Sequence, residues 1–306
     1  MAELDRRRLA VFSLVTFGVS WATALVVYLT GGLTDSPELA PGLPLWVVLV
    51  STTYMFGPAI GNVATRLLTG EGWGDLMLRP RLRGHVRAYL TAWLGPAVLV
   101  AVGAALFFAL FPSYFDPGLT AFGEALREAG VEVSPPVLLA AQVVAGLTVG
   151  TAVNTVFAFG EEFGWRAYLL PKLLPAGPRR AVLLHGVVWG VWHWPIIAMG
   201  YEYGFDYPGF PVVGFLAFLP FTVGAGAFLA RVALESDSVW PAAVGHGAIN
   251  AVAAVGYAFA GGSPPALLGP GVQGVVAALP WLAVAAWLAV DPTRLRRAVG
   301  GPQSPG

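Results

Sequence analysis

The sequence contains no cysteine, so disulfides, thiolate nucleophiles and thiolate-bound zinc are excluded, and a metal would have to be held by His, Glu, Asp or Asn. Charge is scarce as well, with Asp, Glu, Lys and Arg making up 11% of 306 residues against 57% hydrophobic residues. The 17 basic and 17 acidic side chains cancel, which leaves no basic field to hold nucleic acid and no acidic field to hold cations. Internal repeats are absent, and the only biased tract is the Gly/Pro-rich tail at 300–306.

What the sequence has in quantity is apolar length. A mean hydropathy of +0.70 excludes the soluble, secreted and disordered classes. Breaks rich in charge, Gly and Pro divide the chain into eight candidate membrane helices: 9–30, 44–67, 86–112, 137–170, 180–199, 211–233, 239–260 and 271–290. The expected fold is therefore an all-α, multi-pass integral membrane bundle, one domain over 1–306. The apolar run after Arg6-Arg7-Arg8 is longer than the roughly 7 to 15 residues of a signal h-region, so it reads as a retained first span. Prolines 58, 96, 195, 220 and 280 fall inside these segments.

Lys and Arg gather at the N-terminus, around 66–87, at 166–180, at 231 and at 294–297, with only Arg127 elsewhere, while the loops at 31–43, 200–210 and 261–270 have none. With eight spans all these clusters fall on one side, which predicts both termini in the cytoplasm and a location in the cytoplasmic membrane. Leu119, Phe122 and Leu126 at helical spacing suggest a short amphipathic helix within 113–136, and a solvated loop is the competing reading.

An ionisable side chain at the centre of a membrane helix costs roughly 2.5 to 3.5 kcal/mol, so such residues point to a partnered functional site. Three candidate helices hold nearly all of them: Glu161, Glu162 and Arg166 in the fourth, His185 and His193 in the fifth, and His246 and Asn250 in the seventh. Counting from charged markers at about 1.5 Å per residue puts Glu161, His193 and His246 at comparable depth. The same three helices carry Gly146 and Gly150, Gly186 and Gly190, and Gly245 with Gly247, which let backbones approach closely.

Glu162 and Arg166 are four apart and can pair on one helix face, whereas Glu161 is turned by about 100° and is free to face a cavity as a general base. The competing reading has both carboxylates neutralising Arg166 at the headgroups. His246 and Asn250 share a face and can grip a water, an oxyanion or a metal ion, or else act as polar glue between helices. Beside His193, Pro195 lacks an N–H and frees the carbonyl of Val191, which the histidine could also simply bond. His185 reads as an interfacial residue reaching for water and stays outside the candidate site. Trp189 and Trp192 can wall the cavity.

These separated motifs resemble those of the CPBP family, intramembrane proteases that include the type II CaaX prenyl endopeptidases (the Rce1-like group) and the Abi proteins. The family order is Glu-Glu-x-x-x-Arg, then Phe-x-x-x-His, then His-x-x-x-Asn or Asp, matched here by Glu161-Glu162 with Arg166, by His193 and by His246 with Asn250. Trp189 stands where the family has phenylalanine. The resemblance covers roughly 140–260 and implies that Glu161, assisted by His193, activates water against a peptide carbonyl while His246 and Asn250 stabilise the oxyanion. Glu162, Arg166 and Trp189 are then supporting residues. The family has been described both as metalloproteases and as glutamate-dependent proteases, so zinc on Glu161, His193 and His246 stays open, with a metal-free site favoured.

The implied function is an intramembrane endopeptidase acting on a membrane-embedded or lipidated protein or peptide, with removal of the C-terminal tripeptide of prenylated CaaX proteins as one such reaction. A proton-coupled transporter would also place Glu, His and Asn inside a bundle. A non-catalytic scaffold or immunity protein would keep the motifs without using them.

Overall fold

The computed structural model describes residues 4–295; Arg296, Arg297 and the tail at 300–306 lie outside the described residues. Six helices are long and apolar enough to cross a bilayer: α1 (Arg6–Leu29), α2 (Leu45–Thr69), α3 (Val86–Leu110), α5 (Pro135–Ala176), α8 (Val212–Ser236) and α9 (Trp240–Phe259). The amphipathic segment forms α4 (Thr120–Glu128). Between α5 and α8 lie α6 (Pro178–Trp192) and the short α7 (Trp194–Ile197), and α10 (Leu279–Val290) ends the described bundle. Its only extended structure among the described residues, apart from an isolated bridge, is a small hairpin of Glu38–Ala40 with Leu43–Pro44.

Two of the eight sequence segments come out shorter than read. The helix expected over 180–199 stops at Trp192, because Pro195 cannot supply an N–H to the turn before it, and a new helix starts with that proline in its first turn. The helix expected over 271–290 begins only at Leu279. Ahead of it the chain folds back on itself so tightly that a Cβ on Gly274 would lie 2.3 Å from the Gly269 amide nitrogen, a crossing closed to other residues. Of the five prolines read as interior, Pro96 and Pro220 sit within helices and Pro58 within α2 where its second part begins, whereas Pro195 and Pro280 stand in first turns.

The basic loops converge on one end of the bundle. There Glu71 bridges Arg8 and Lys172, Arg81 pairs with Asp237 at 2.7 Å, and Arg179 reaches the last carbonyls of α10. Arg66, buried, pairs with Asp75 at 2.7 Å and takes its Nε–H to Asn62, whose amide caps the Phe163 carbonyl of α5 at 2.8 Å. At the other end the backbone of Asp116 bonds that of Phe259, and Tyr203 donates to the Gln273 carbonyl. The helices therefore share two ends, one rich in Lys and Arg and one where Arg127 in α4 is the exception, as the charge asymmetry of an integral membrane bundle leads one to expect.

At the centre, α8 packs against α6, α9 and α10, while α9 packs against α3 and α5, and α2 joins α1 to α5. The long α5 contains widened turns at Gly146–Gly150 and Trp165–Leu169, one on each side of the Glu161-Glu162 pair. Such turns shift the register of the faces above and below them. Arg166 lies in the second.

Candidate active site

The site is assembled where α9 lies on α5. A Cβ on Gly247 would stand 2.6 Å from the Thr155 amide nitrogen and 2.8 Å from the Thr151 carbonyl, so only glycine permits this crossing. One residue earlier, His246 reaches across to Glu162, its Nδ1 2.8 Å from Oε1. Arg166 donates from Nη1 to the same oxygen at 2.7 Å, and the Glu162 and Arg166 side chains are fully buried. The helical pair expected from spacing thus forms in the protein interior, and it has a third member. A carboxylate oxygen only accepts, so His246 carries hydrogen on Nδ1 and turns Nε2 elsewhere.

Glu161 faces away from that pair. Its Oε2 accepts a 2.8 Å hydrogen bond from Trp189 Nε1. The same indole ring covers the Arg166 guanidinium at 4.4 Å and meets the His246 ring nearly edge-on at 5.3 Å. Trp189 therefore touches both carboxylate arrangements, which phenylalanine could do only by packing, since it has no N–H.

His193 sits in the turn between α6 and α7. Its Nδ1 bonds the Trp189 carbonyl at 2.8 Å, rather than the Val191 carbonyl that Pro195 frees. That contact again requires hydrogen on Nδ1 and leaves Nε2 as an acceptor. The Trp192 carbonyl, orphaned by the helix end, accepts from Tyr54 Oη and from Trp21 Nε1, which fixes the turn against α1 and α2.

Glu161, His193, His246 and Asn250 line one cavity of about 100 Å³. At about 30 Å³ per water molecule, that is room for roughly three. Asn250 is the most exposed of the four and also lines a neighbouring pocket of about 480 Å³ beneath α4, so it stands at the rim. Helices from three separate parts of the chain thus bring their polar residues to one small cavity.

Three residues differ from the sequence reading. His185 is not at an interface: it is fully buried, edge-on to Trp165 at 6.4 Å, and neither ring nitrogen has a hydrogen-bond partner among the described residues. Tyr54 and Glu202, which sequence reasoning passed over, line the cavity. The signal for Glu202 was present, an acid among aromatic residues in a loop without Lys or Arg, just past the Pro195 break. Burial pushes the Glu202 carboxyl up to about 7.

The residues do not fit a resident zinc ion. Glu161, His193 and His246 share the cavity but are not gathered as a ligand set, and among the described residues no group of three His, Asp or Glu side chains is so gathered.

Among curated proteins none matches the chain. A family comparison does: residues 141–252 match the family described as type II CAAX prenyl endopeptidase Rce1-like. That segment contains all seven residues from Glu161 to Asn250 singled out in the sequence, and over it the chain is similar to the Rce1-like family.

Proposed function

We propose that this protein is an intramembrane endopeptidase that hydrolyses a peptide bond in a membrane-associated protein or peptide, and that it works from the cytoplasmic membrane with both termini in the cytoplasm. The observation that carries this reading is the shared cavity: a carboxylate, two histidines with free Nε2 atoms and an amide side chain all face a space of about 100 Å³.

Glu161 takes a proton from a water held in that space, with His193 Nε2 as a second acceptor, and the resulting hydroxide attacks the scissile carbonyl. Asn250 donates an amide N–H to the oxyanion without any change of protonation. His246 takes a proton from solvent at Nε2 before the attack, donates it as a hydrogen bond to the oxyanion and keeps it as the intermediate collapses, while Glu162, bonded to its Nδ1, offsets the added charge. As the tetrahedral intermediate collapses and the C–N bond breaks, the proton held by Glu161 passes to the leaving amine. Trp189 positions Glu161, and Arg166 balances Glu162. A prenylated CaaX tail is the substrate that the family match favours.

The test is cleavage of fluorescent prenylated and unprenylated C-terminal peptides by purified protein in detergent, comparing wild type with Glu161→Ala and Glu161→Gln at equal folded amount. Cleavage by the wild type and loss of at least about a thousandfold in both variants is expected, on the scale of removing a general base and the water it positions. Equal rates in wild type and Glu161→Ala, or no cleavage of any peptide, would overturn the proposal.

A further inference from the structure

Two amide side chains near the site have no hydrogen-bond partner among the described residues, Gln142 in α5 and Asn250 in α9. Gln142 stands between Ala141 and Val143 in an otherwise apolar stretch, about 10 Å along α5 from Pro135. An unpaired amide in a membrane-spanning helix is costly, so it points to a polar group that binds there. Both amides line the pocket of about 480 Å³ beneath α4, a volume within the range of small-ligand sites. Asn250 also lines the cavity of Glu161, His193 and His246, so pocket and site are continuous at that residue.

The helix crossing sets the order of these groups. A Cβ on Gly247 would lie 2.6 Å from the Thr155 amide nitrogen and one on Gly146 2.9 Å from the Ala251 carbonyl, so α5 and α9 run antiparallel here. Gly146 is therefore level with Ala251, the neighbour of Asn250, and Gln142, one turn earlier, lies about 6 Å further from the catalytic cavity. Among the described residues no charged side chain lines the pocket, the Tyr257 hydroxyl is already engaged by Gln273 Nε2 at 3.4 Å, and much of the wall is alanine: Ala121, Ala125, Ala251 and Ala254. An amide side chain carries both a donor and an acceptor, the complement of a peptide group. An extended chain advances about 3.3 Å per residue, so a strand whose scissile carbonyl is at Asn250 brings the backbone of the second residue from the cut to Gln142.

We propose that the pocket beneath α4 holds the released end of the substrate as an extended strand, and that Gln142 hydrogen-bonds its backbone at the second residue after the cut. This rests on the endopeptidase reading. A bounded pocket covered by α4 suits a short released end better than the side that continues into the rest of the substrate. Its alanine wall accepts aliphatic side chains, which agrees with a CaaX-type tail. Gln142 is then a binding residue that fixes how the strand lies and takes no part in the chemistry.

The test uses full-length protein in detergent and a prenylated peptide in which the amide on either side of the second released residue is replaced by an ester. Gln142→Leu should raise KM about tenfold with kcat within about twofold, the scale of one hydrogen bond between uncharged groups. Its melting temperature should not fall, since leucine suits a membrane helix. One of the two esters should cost wild type about tenfold in kcat/KM and cost the Gln142→Leu protein no more than about twofold. Affinity for the same peptides is read by fluorescence anisotropy on the Glu161→Ala protein, with and without Gln142→Leu. Kinetics and affinity unchanged by Gln142→Leu, esters that cost both proteins equally, or no binding of any peptide would overturn the proposal. Absence of Glu161-dependent cleavage would overturn the endopeptidase reading instead, while the binding comparison still decides the role of Gln142.

Discussion

Glu162 holds two donors on a single oxygen, and its other oxygen has no partner among the described residues. A fully buried carboxylate in that position is stabilised by Arg166 and spends part of its charge on orienting His246. Arg166→Met leaves the carboxylate unpaired and should cost about 3–5 kcal/mol of stability, the scale for breaking a buried ion pair. Adding Glu162→Gln should recover most of that loss, because the amide still accepts from His246 and no lone charge remains. Activity of the double variant should stay at least about tenfold low in kcat with KM little changed, since a neutral amide no longer offsets a protonated histidine. Thermal unfolding in detergent and peptide cleavage measure the two effects separately. If kcat recovered together with the melting temperature, the pair would serve folding alone.

At the scale of elements, the site exists because a glycine in α9 lets that helix rest on the backbone of α5. Gly247→Ala introduces a methyl group 2.6 Å from the Thr155 nitrogen, and the backbone cannot yield as a flexible side chain would. The expected cost is about 1–3 kcal/mol, the range for overpacking, with a loss of activity as His246 and Asn250 move off Glu161. Gly18→Ala in α1, where a Cβ would meet nothing within 4 Å, is the control and should leave melting and activity unchanged. The same scale explains the α6–α7 break. One proline ends a helix at the depth where His193 has to leave helical register, so the break and the histidine belong to one local device.

For the whole molecule, the sorting of charge between the two ends of the bundle carries the topology. Arg8, Glu71, Lys172, Arg81 and Asp237 meet at one end, and the hydrogen bond from Tyr203 to the Gln273 carbonyl lies at the other. Because the chain has no cysteine, single substitutions give an unambiguous accessibility map. Arg83→Cys and Asp206→Cys are both exposed positions, and they should react with a membrane-impermeant maleimide from opposite sides of intact cells or oriented vesicles, Asp206→Cys from outside. Labelling of both from one side would rule out the eight-span arrangement with cytoplasmic termini.

Composition and hydropathy by themselves determined the class of the protein, because so many apolar residues with so few charges can be solvated only by lipid. The spacing of Glu162 and Arg166 likewise determined their pair, since helix geometry alone sets which side chains meet four residues apart. Three things needed the tertiary structure. The third member of that pair, His246, comes from a helix more than 80 residues away, and its approach depends on a crossing that periodicity does not encode. The burial of His185 was misread because distance from a helix end says nothing about the neighbours that pack over it. Glu202 stood in a loop, where neither period nor motif marks a residue, and only the fold turns that loop inward over the cavity. Local patterns fix what lies along one helix, whereas contacts between helices are decided by which small residues happen to face each other.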